Sequence, residues 1–526
     1  MNIAHLLSER VAMSGDRAAI LDNSRGADRT VTFAELEIAA TRVASQLYAA
    51  GLRPGDAIVL LQPVSAELFI LFSAILRSGL VALFIDPSAG RDHIERCCAV
   101  HPPKALIGCG RAHLLRFISP ALRRIPLKFS TDLPVFGARR LDPRNPASAR
   151  TLIQACSSDF PAMIRFTSGS TGQPKASVRS HGYLLAQQRV LARSFVLAAG
   201  ELDLVTMPMF VLSNLAAGVT SLIPQVNLRA PGSIPPESLL RAIETYRPQR
   251  IGASPALLEN LADHCLHHSR PLACFLKVFT GGGPVFPRLL DKLNAVAPAA
   301  RIVAVYGSTE AEPIALLDHR TILSADRDAM SAGRGLLAGR PDSAIRLRIV
   351  REPCGLRGRG LTEGDVQSGG LPAGEPGQVV VAGPHVQPSY RNDPEDQETK
   401  LQAADHPWHQ TGDAGYLDDC GRLWLLGRCC GRIQDSRGTL YPLQVECIAL
   451  ENPRVRRAAV LAHENRRVLV IESAGPIDIA AVRSKLSGAS IDTIKILRRI
   501  PVDKRHNSKI DYPALHSIIR RGWGAS

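Results

Sequence analysis

Short apolar runs bounded by glycine, proline or polar residues alternate along this chain with longer stretches whose apolar residues recur every three to four positions. "AIVLL" (Ala57–Leu61), "LVALFI" (Leu80–Ile85), "RIGA" (Arg250–Ala253), "FLKVF" (Phe275–Phe279) and "RIVAV" (Arg301–Val305) have the length and boundaries of buried strands. "PALLENLADHCL" (Pro255–Leu266) and "PRLLDKLNAV" (Pro287–Val296) lie between them and carry the helical period. Strands alternating with helices predict parallel βαβ units, in which ligands bind at loops leaving the carboxyl ends of strands. Three such loops are rich in glycine and hydroxyls: "TSGSTG" after "AMIRF", "GGGP" (Gly281–Pro284) and "YGSTE" (Tyr306–Glu310). They are expected to line one cleft.

The most apolar run, Leu68–Ile85, approaches the length of a membrane span but is interrupted by Arg77, Ser78 and Gly79. It predicts a buried helix, a glycine turn and a buried strand, so no transmembrane segment is expected. Residues 351–377 are rich in glycine and proline and read as a polar loop. "QVVVAG" (Gln378–Gly383) and "RLWLLG" (Arg422–Gly427) predict antiparallel strands. After Arg428 the pattern restarts as two strands, "VRRAAVLAH" and "RRVLVIES", and a helix, "IDIAAVRSKL". The expected fold class is α/β: a large N-terminal multi-sheet α/β domain, 1–427, with a small C-terminal α+β lid domain, 428–526.

A length of 526 residues exceeds one ordinary core, which agrees with that division. The net charge of +15 favours anionic partners such as nucleotides, pyrophosphate, acyl carrier domains or anionic lipid. Aromatic residues are only 5%, and basic clusters such as Arg123–Lys128 are not interleaved with them, so nucleic acid is not an expected partner. The 11 cysteines are odd in number and form no CxxC pair. Reduced thiols and a cytoplasmic location follow, without a disulfide framework or zinc site. The N-terminus has no cationic start with a long apolar core, so no secretory signal is expected.

The stretch "RFTSGSTGQPKAS" (Arg165–Ser177) suits a polyphosphate: glycines let backbone N–H groups approach an anion, hydroxyls add donors and Lys175 adds charge. It is no Walker loop, because Gly172 is followed by Gln173-Pro174-Lys175-Ala176. Pro174 opposes a helix start, and "KASVRS" favours a strand, so a hairpin-like loop is expected.

"TSGSTGQPK", "YGSTE" and "TGDAGYLDDCGRLWLLGR" occur in this order before a late lysine, Lys509. From about Phe33 to Leu515 this series resembles the adenylate-forming superfamily of acyl-CoA synthetases, luciferases and adenylation domains. The resemblance implies an AMP-forming acid ligase that uses ATP and Mg²⁺ to convert a carboxylic acid to an acyl-adenylate. Ser168, Gly169, Ser170, Thr171 and Gly172, with Lys175, would hold the β- and γ-phosphates; Thr167 and Gly307 belong to the same nucleotide-binding set. Glu310 would bind the metal, with Thr309 beside it. Tyr306 would face adenine, Gly281 and Gly282 would let backbone approach the base and acyl group, and Asp413 with Arg428 would hold the ribose. Lys509 would swing in on the lid to bridge carboxylate and α-phosphate.

Departures from the family pattern fall mostly on its second half-reaction. Val211 stands where many acyl-CoA synthetases have a histidine, Cys430 occupies the hinge, Gln434 replaces a lysine of the thiol-acceptor face, and Ser508 replaces a glycine. The chain resembles most the β-lactone synthetases of bacterial olefin biosynthesis, in "RFTSGSTG", "SLIP", "RGTLYPLQVE" and above all "IPVDKRHNSKI" (Ile500–Ile510). Those enzymes adenylate a β-hydroxy fatty acid whose own hydroxyl then expels AMP; His506 is a candidate base. The acyl pocket would be formed by the "MFVLSNLAAG" helix and the region near Val278–Gly283. CoA or an acyl carrier protein is the alternative acceptor, and a non-catalytic nucleotide-binding regulator is the alternative from another class.

Overall fold

Local signals set many element ends. The Thr32 hydroxyl accepts from Glu35 N at 3.1 Å while the Glu35 carboxylate accepts from Thr32 N at 2.9 Å, a reciprocal cap that starts the helix Phe33–Ala49. Proline opens the helices Pro255–His267 and Pro287–Val296, where its missing N–H breaks no intrahelical bond. Both bury one leucine stripe: Leu257, Leu258 and Leu261 in the first, Leu289, Leu290 and Leu293 in the second. The long apolar run resolves as expected into the helix Ala66–Arg77, a turn at Gly79 with φ of 65° and the strand Val81–Phe84. Arg77 is buried and pairs with Glu37 at 2.7 Å, so its charge is matched. Among the described residues no helix is long and apolar enough to cross a membrane.

The computed structural model describes residues 1–145, 152–168, 174–228, 230–351, 364, 366, 370–387, 390–391, 400–401, 407–503 and 508–521. The fold is a large multi-sheet α/β domain followed by a small C-terminal α+β domain. Two compact units can be described separately: Met1–Val226 with Pro384–Gln397, and Asn227–Gly383 with Glu398–Ser526.

The first unit contains a sheet whose spatial order is Tyr390–Arg391, Pro174–Ser180, Pro161–Ser168, Val81–Phe84, Ala57–Leu61, Ala105–Gly108, Leu127–Ser130 and Arg139–Arg140. Its last six strands run parallel, and Pro161–Ser168 with Pro174–Ser180 forms an antiparallel hairpin. Elsewhere in this unit Leu202–Val205, Thr220–Ile223 and Ala18–Asp22 pair in parallel, and Arg29–Thr32 closes against the last of them.

In the second unit Arg250–Ala253, Lys277–Gly281 and Arg301–Tyr306 pair in parallel, the βαβ arrangement that the pattern predicts. The strand expected at Phe275–Phe279 begins two residues later. Phe275 N is taken by Leu272 O in a turn, and Leu276 N and Lys277 N both donate to Gln249 O, so the ladder starts at Lys277. Antiparallel strands follow in the order Ala315–Asp318, Leu336–Pro341, Leu423–Arg428, Trp408–Leu417, Gly377–Ala382 and Arg346–Val350.

The C-terminal domain pairs Val455–His463 with Arg466–Ser473 antiparallel, and the latter with Thr493–Leu497 in parallel. Alternation along these strands builds two apolar layers. Val460, Leu469 and Ile471 pack with Val445 and Ile448 on one face; Ala459, Leu461, Val468 and Val470 pack with Leu515 and Ile519 on the other.

Candidate active site

Adjacent parallel strands deliver two of the expected loops side by side. Gly281 is opposite Val305 at the carboxyl end of the ladder, so the chain after Gly281 and the chain after Tyr306 leave the same sheet edge. A Cβ on Gly281 would lie 2.6 Å from Val305 O, which excludes a side chain. Gly282 has φ of 86°, a backbone that favours glycine. A Cβ on Gly283 would lie 2.7 Å from Ser508 Cβ, so the residue before Lys509 rests against this turn.

The second loop is a tight turn. Ser308 N donates to Ala311 O at 2.8 Å, Ala311 N to Ser308 O at 3.2 Å and Glu310 N to Ser308 Oγ at 3.3 Å. Gly307 fits beneath it, because a Cβ there would lie 2.9 Å from Ala311 O. Thr309 and Glu310 are half-buried on this turn.

Strand register brings Asp413 opposite Arg428. Tyr306 Oη donates to Asp413 Oδ2 at 2.7 Å, and Arg428 Nη1 lies 3.2 Å from Asp413 Oδ1. Arg428 Nη1 also donates to Thr411 O at 2.8 Å. Thr411 Oγ1 accepts from Asp413 N at 3.1 Å and donates to Val379 O at 2.8 Å, fixing the strand beneath the carboxylate. Burial and the neighbouring Asp413 charge push the Tyr306 hydroxyl well above its ordinary range, so it remains a donor. The Asp413 carboxylate raises the Arg428 guanidinium further, and Glu310 acts in the same sense.

Lys509 is exposed and sits just inside an antiparallel bridge between Val502 and Ile510. Asp503 organises this turn: its Oδ1 accepts from Ser508 N at 3.0 Å and Lys509 N at 2.8 Å, while its own N donates to Lys509 O at 2.8 Å. The sequence does not single out Asp503 or Thr411. A lone aspartate six positions before a lysine has no pattern, and the weak signal for Thr411 was its place in "TGD".

Lys175 lies in the other unit, opposite Thr167 on the hairpin, and Ser168 is opposite Pro174. The backbone of Thr167 and Ser168 is extended. Gly169, Ser170, Thr171 and Gly172 lie outside the described residues, as does His506. Val211, expected near the acyl pocket, is buried in the helix Val211–Ala217, which ends at Gly218 with φ of 77°.

The chain matches the AMP-binding enzyme family over residues 7–391. It is 32% identical to an olefin β-lactone synthetase of Xanthomonas campestris pv. campestris, covering 97% of this chain and 96% of that one. A long-chain-fatty-acid–CoA ligase of Mycobacterium tuberculosis is 28% identical over 88% of this chain and 85% of its own. The amide bond synthetase McbA from Marinactinospora thermotolerans has the same fold, with a TM-score of 0.78 at 23% identity, covering 98% of this chain and 99% of that one. With the family's span matched and the Tyr306–Asp413–Arg428 cluster assembled, the chain belongs to the AMP-binding family of adenylate-forming enzymes.

Proposed function

We propose that this enzyme activates a β-hydroxy or other fatty acid as its acyl-adenylate and then closes a β-lactone. In the first step a carboxylate oxygen attacks the α-phosphorus of ATP and the bond to pyrophosphate breaks. In the second the β-hydroxyl oxygen attacks the acyl carbon, the bond to AMP breaks, and the hydroxyl proton passes to a base. Holding the hydroxyl near the activated carbonyl replaces an external nucleophile. His506, a candidate base, lies outside the described residues.

The hydrogen-bonded group of Tyr306, Asp413 and Arg428 carries the nucleotide reading. Asp413 offers a carboxylate to ribose hydroxyls, Arg428 pairs with it, and Tyr306 supplies a flat face for adenine. Gly281 and Gly282 leave room for the base and the acyl group. Lys175 neutralises charge on the leaving pyrophosphate, and the segment from Thr167 to Gly172 supplies hydrogen-bond donors to it. Lys509 stabilises the charge that builds between carboxylate and phosphorus. Residues 428–526 move as the lid that brings it in.

Glu310 is the residue that would hold Mg²⁺, with Thr309 beside it; one carboxylate completed by phosphate oxygens is a usual arrangement for this ion. When bound, the ion neutralises phosphate charge. ATP supply and the absence of a spanning helix among the described residues agree with a cytoplasmic enzyme.

The altered thiol face favours lactone closure over transfer. Gln434 is exposed and neutral in the hairpin Ile433–Asp435 with Gly438–Leu440. Its neighbour Asp435 is committed to Arg467 at 2.7 Å and Arg437 at 2.9 Å. Incubation with ATP and a 3-hydroxy fatty acid, without CoA, should release one AMP per acid lost and yield a product lighter by one water. AMP release that requires CoA or a carrier protein would establish the acyl ligase instead, the reading favoured by the fatty-acid–CoA ligase relative. No carboxylate-dependent pyrophosphate exchange with any acid would leave a nucleotide-binding regulator.

A further inference from the structure

The first unit carries a surface that the proposed reaction does not use. Along Gly110–Arg140 the inner positions seat three short helices on the core. Leu122 is fully buried, and the buried His113 has Nε2 3.0 Å from Phe129 O. Several outer positions are apolar. Leu114 and Ile118 are exposed, Phe117 is 81% exposed, and on the following loop Leu133 is exposed and Phe136 is 98% exposed. The two groups are adjacent: Arg116 Nη1 donates to Phe136 O at 3.1 Å, and a Cβ on Gly110 would lie 3.6 Å from Leu133 Cβ. Two aromatic rings presented to water beside three aliphatic side chains are more than scattered surface hydrophobes.

The charge of this segment is predominantly positive. Gly110–Arg140 holds seven basic residues against one acid, six of the chain's fifteen net positive charges in 31 residues. The acid, Asp132, is turned to the backbone amides of Gly110 and Leu133, both at 2.7 Å. Arg111, Arg123 and Arg124 are exposed on the helices Gly110–His113 and Pro120–Arg124. Arg139 and Arg140 are exposed on the edge strand of the sheet.

We propose that the face formed by Leu114, Phe117, Ile118, Leu133 and Phe136, with its flanking arginines, docks this enzyme on an anionic phospholipid bilayer. Apolar side chains enter the headgroup boundary while arginines meet lipid phosphates, the two-part chemistry of interfacial binding. A protein partner would offer complementary acidic side chains in a shaped site; a fluid anionic surface asks only for this combination.

Co-sedimentation at about 0.1 M salt compares phosphatidylcholine vesicles with vesicles containing about 30% phosphatidylglycerol. The full chain should bind the anionic vesicles strongly and the neutral ones weakly. F117S/F136S should lower that binding about tenfold, and R123Q/R124Q about 10- to 25-fold, near fivefold per arginine. R498Q/R499Q, an exposed pair in the C-terminal domain, controls for overall charge and should change binding by less than about twofold. All variants should retain pyrophosphate exchange without vesicles. Equal binding to neutral vesicles, equal weakening by the control pair, or unchanged binding of the patch variants would overturn the proposal. Concentration-dependent dimerisation abolished by F117S/F136S, without vesicle binding, would assign the face to a second copy of the chain.

Discussion

The Tyr306–Asp413–Arg428 cluster and the Lys509 turn are built in different ways. The cluster hangs on a ladder: Asp413 and Arg428 are cross-strand partners, Tyr306 ends another strand of the same sheet, and the Thr411 hydroxyl holds the Asp413 backbone N–H. The lysine turn is held by one bridge and by backbone bonds to a single aspartate. The first is preorganised, and its disruption should reach both binding and stability. The second is a light, local device, and its disruption should reach the chemical step alone.

The largest effect tests the turn. K509A should lower acyl-adenylate formation about 10²- to 10³-fold, with the melting temperature unchanged, as measured by pyrophosphate exchange and thermal unfolding. Retained exchange would remove Lys509 from the chemistry and end the comparison.

D413A attacks the cluster. It should raise KM for ATP about 10- to 100-fold, the worth of hydrogen bonds to a charged group. It should also cost up to about 3 kcal/mol of stability, because the Tyr306 hydroxyl loses its acceptor. A change in kcat alone, at wild-type stability, would mean that the cluster behaves like the turn.

Asp503 separates positioning from charge. D503A should lower kcat about tenfold by loosening the backbone under Lys509, while KM for ATP and stability hold. D503N keeps an oxygen that accepts from Ser508 N and Lys509 N, so it should stay within about threefold of wild type. Equal loss in both variants would point to the charge, and loss in neither would remove the clamp.

The last effect lies inside the C-terminal domain, away from the site. Glu446 is buried, Tyr512 Oη donates to its Oε1 at 3.0 Å, and burial pushes its carboxyl up to about 7. A carboxyl raised in the folded state binds its proton more tightly there than in the unfolded chain, so stability falls as pH rises from about 4.5 to about 7 and is level above. E446Q keeps the acceptor for Tyr512 and removes that slope, with a gain of at most about 3 kcal/mol at pH 8. Identical pH profiles of unfolding would show that Glu446 is not strained by its surroundings.

Much of this was legible beforehand. Arg250–Ala253, Pro287–Val296, Val455–His463 and Arg466–Ser473 have the ends that the apolar pattern assigns, because each is bounded by breakers or polar turns and buries a regular face. Tyr306, Asp413 and Lys509 could be singled out from their motifs. Asp503 and Thr411 could not, because their roles lie in backbone groups that other residues present to them. The five exposed side chains of the face that holds Phe117 and Phe136 were equally silent, since an apolar residue in a short segment is ordinarily read as core.

The sequence by itself determined the alternation of strands and helices, the division into a large and a small domain, and the residue types available for adenylation. These rest on signals confined to a few neighbouring positions: period, caps and turn chemistry. Only the tertiary structure decided that Tyr306 meets Asp413, 107 residues away, that Ser508 rests on Gly283, and that one basic face is left apolar. Those outcomes depend on strand register and close packing, which are settled by long-range ladders and by the space that remains between side chains.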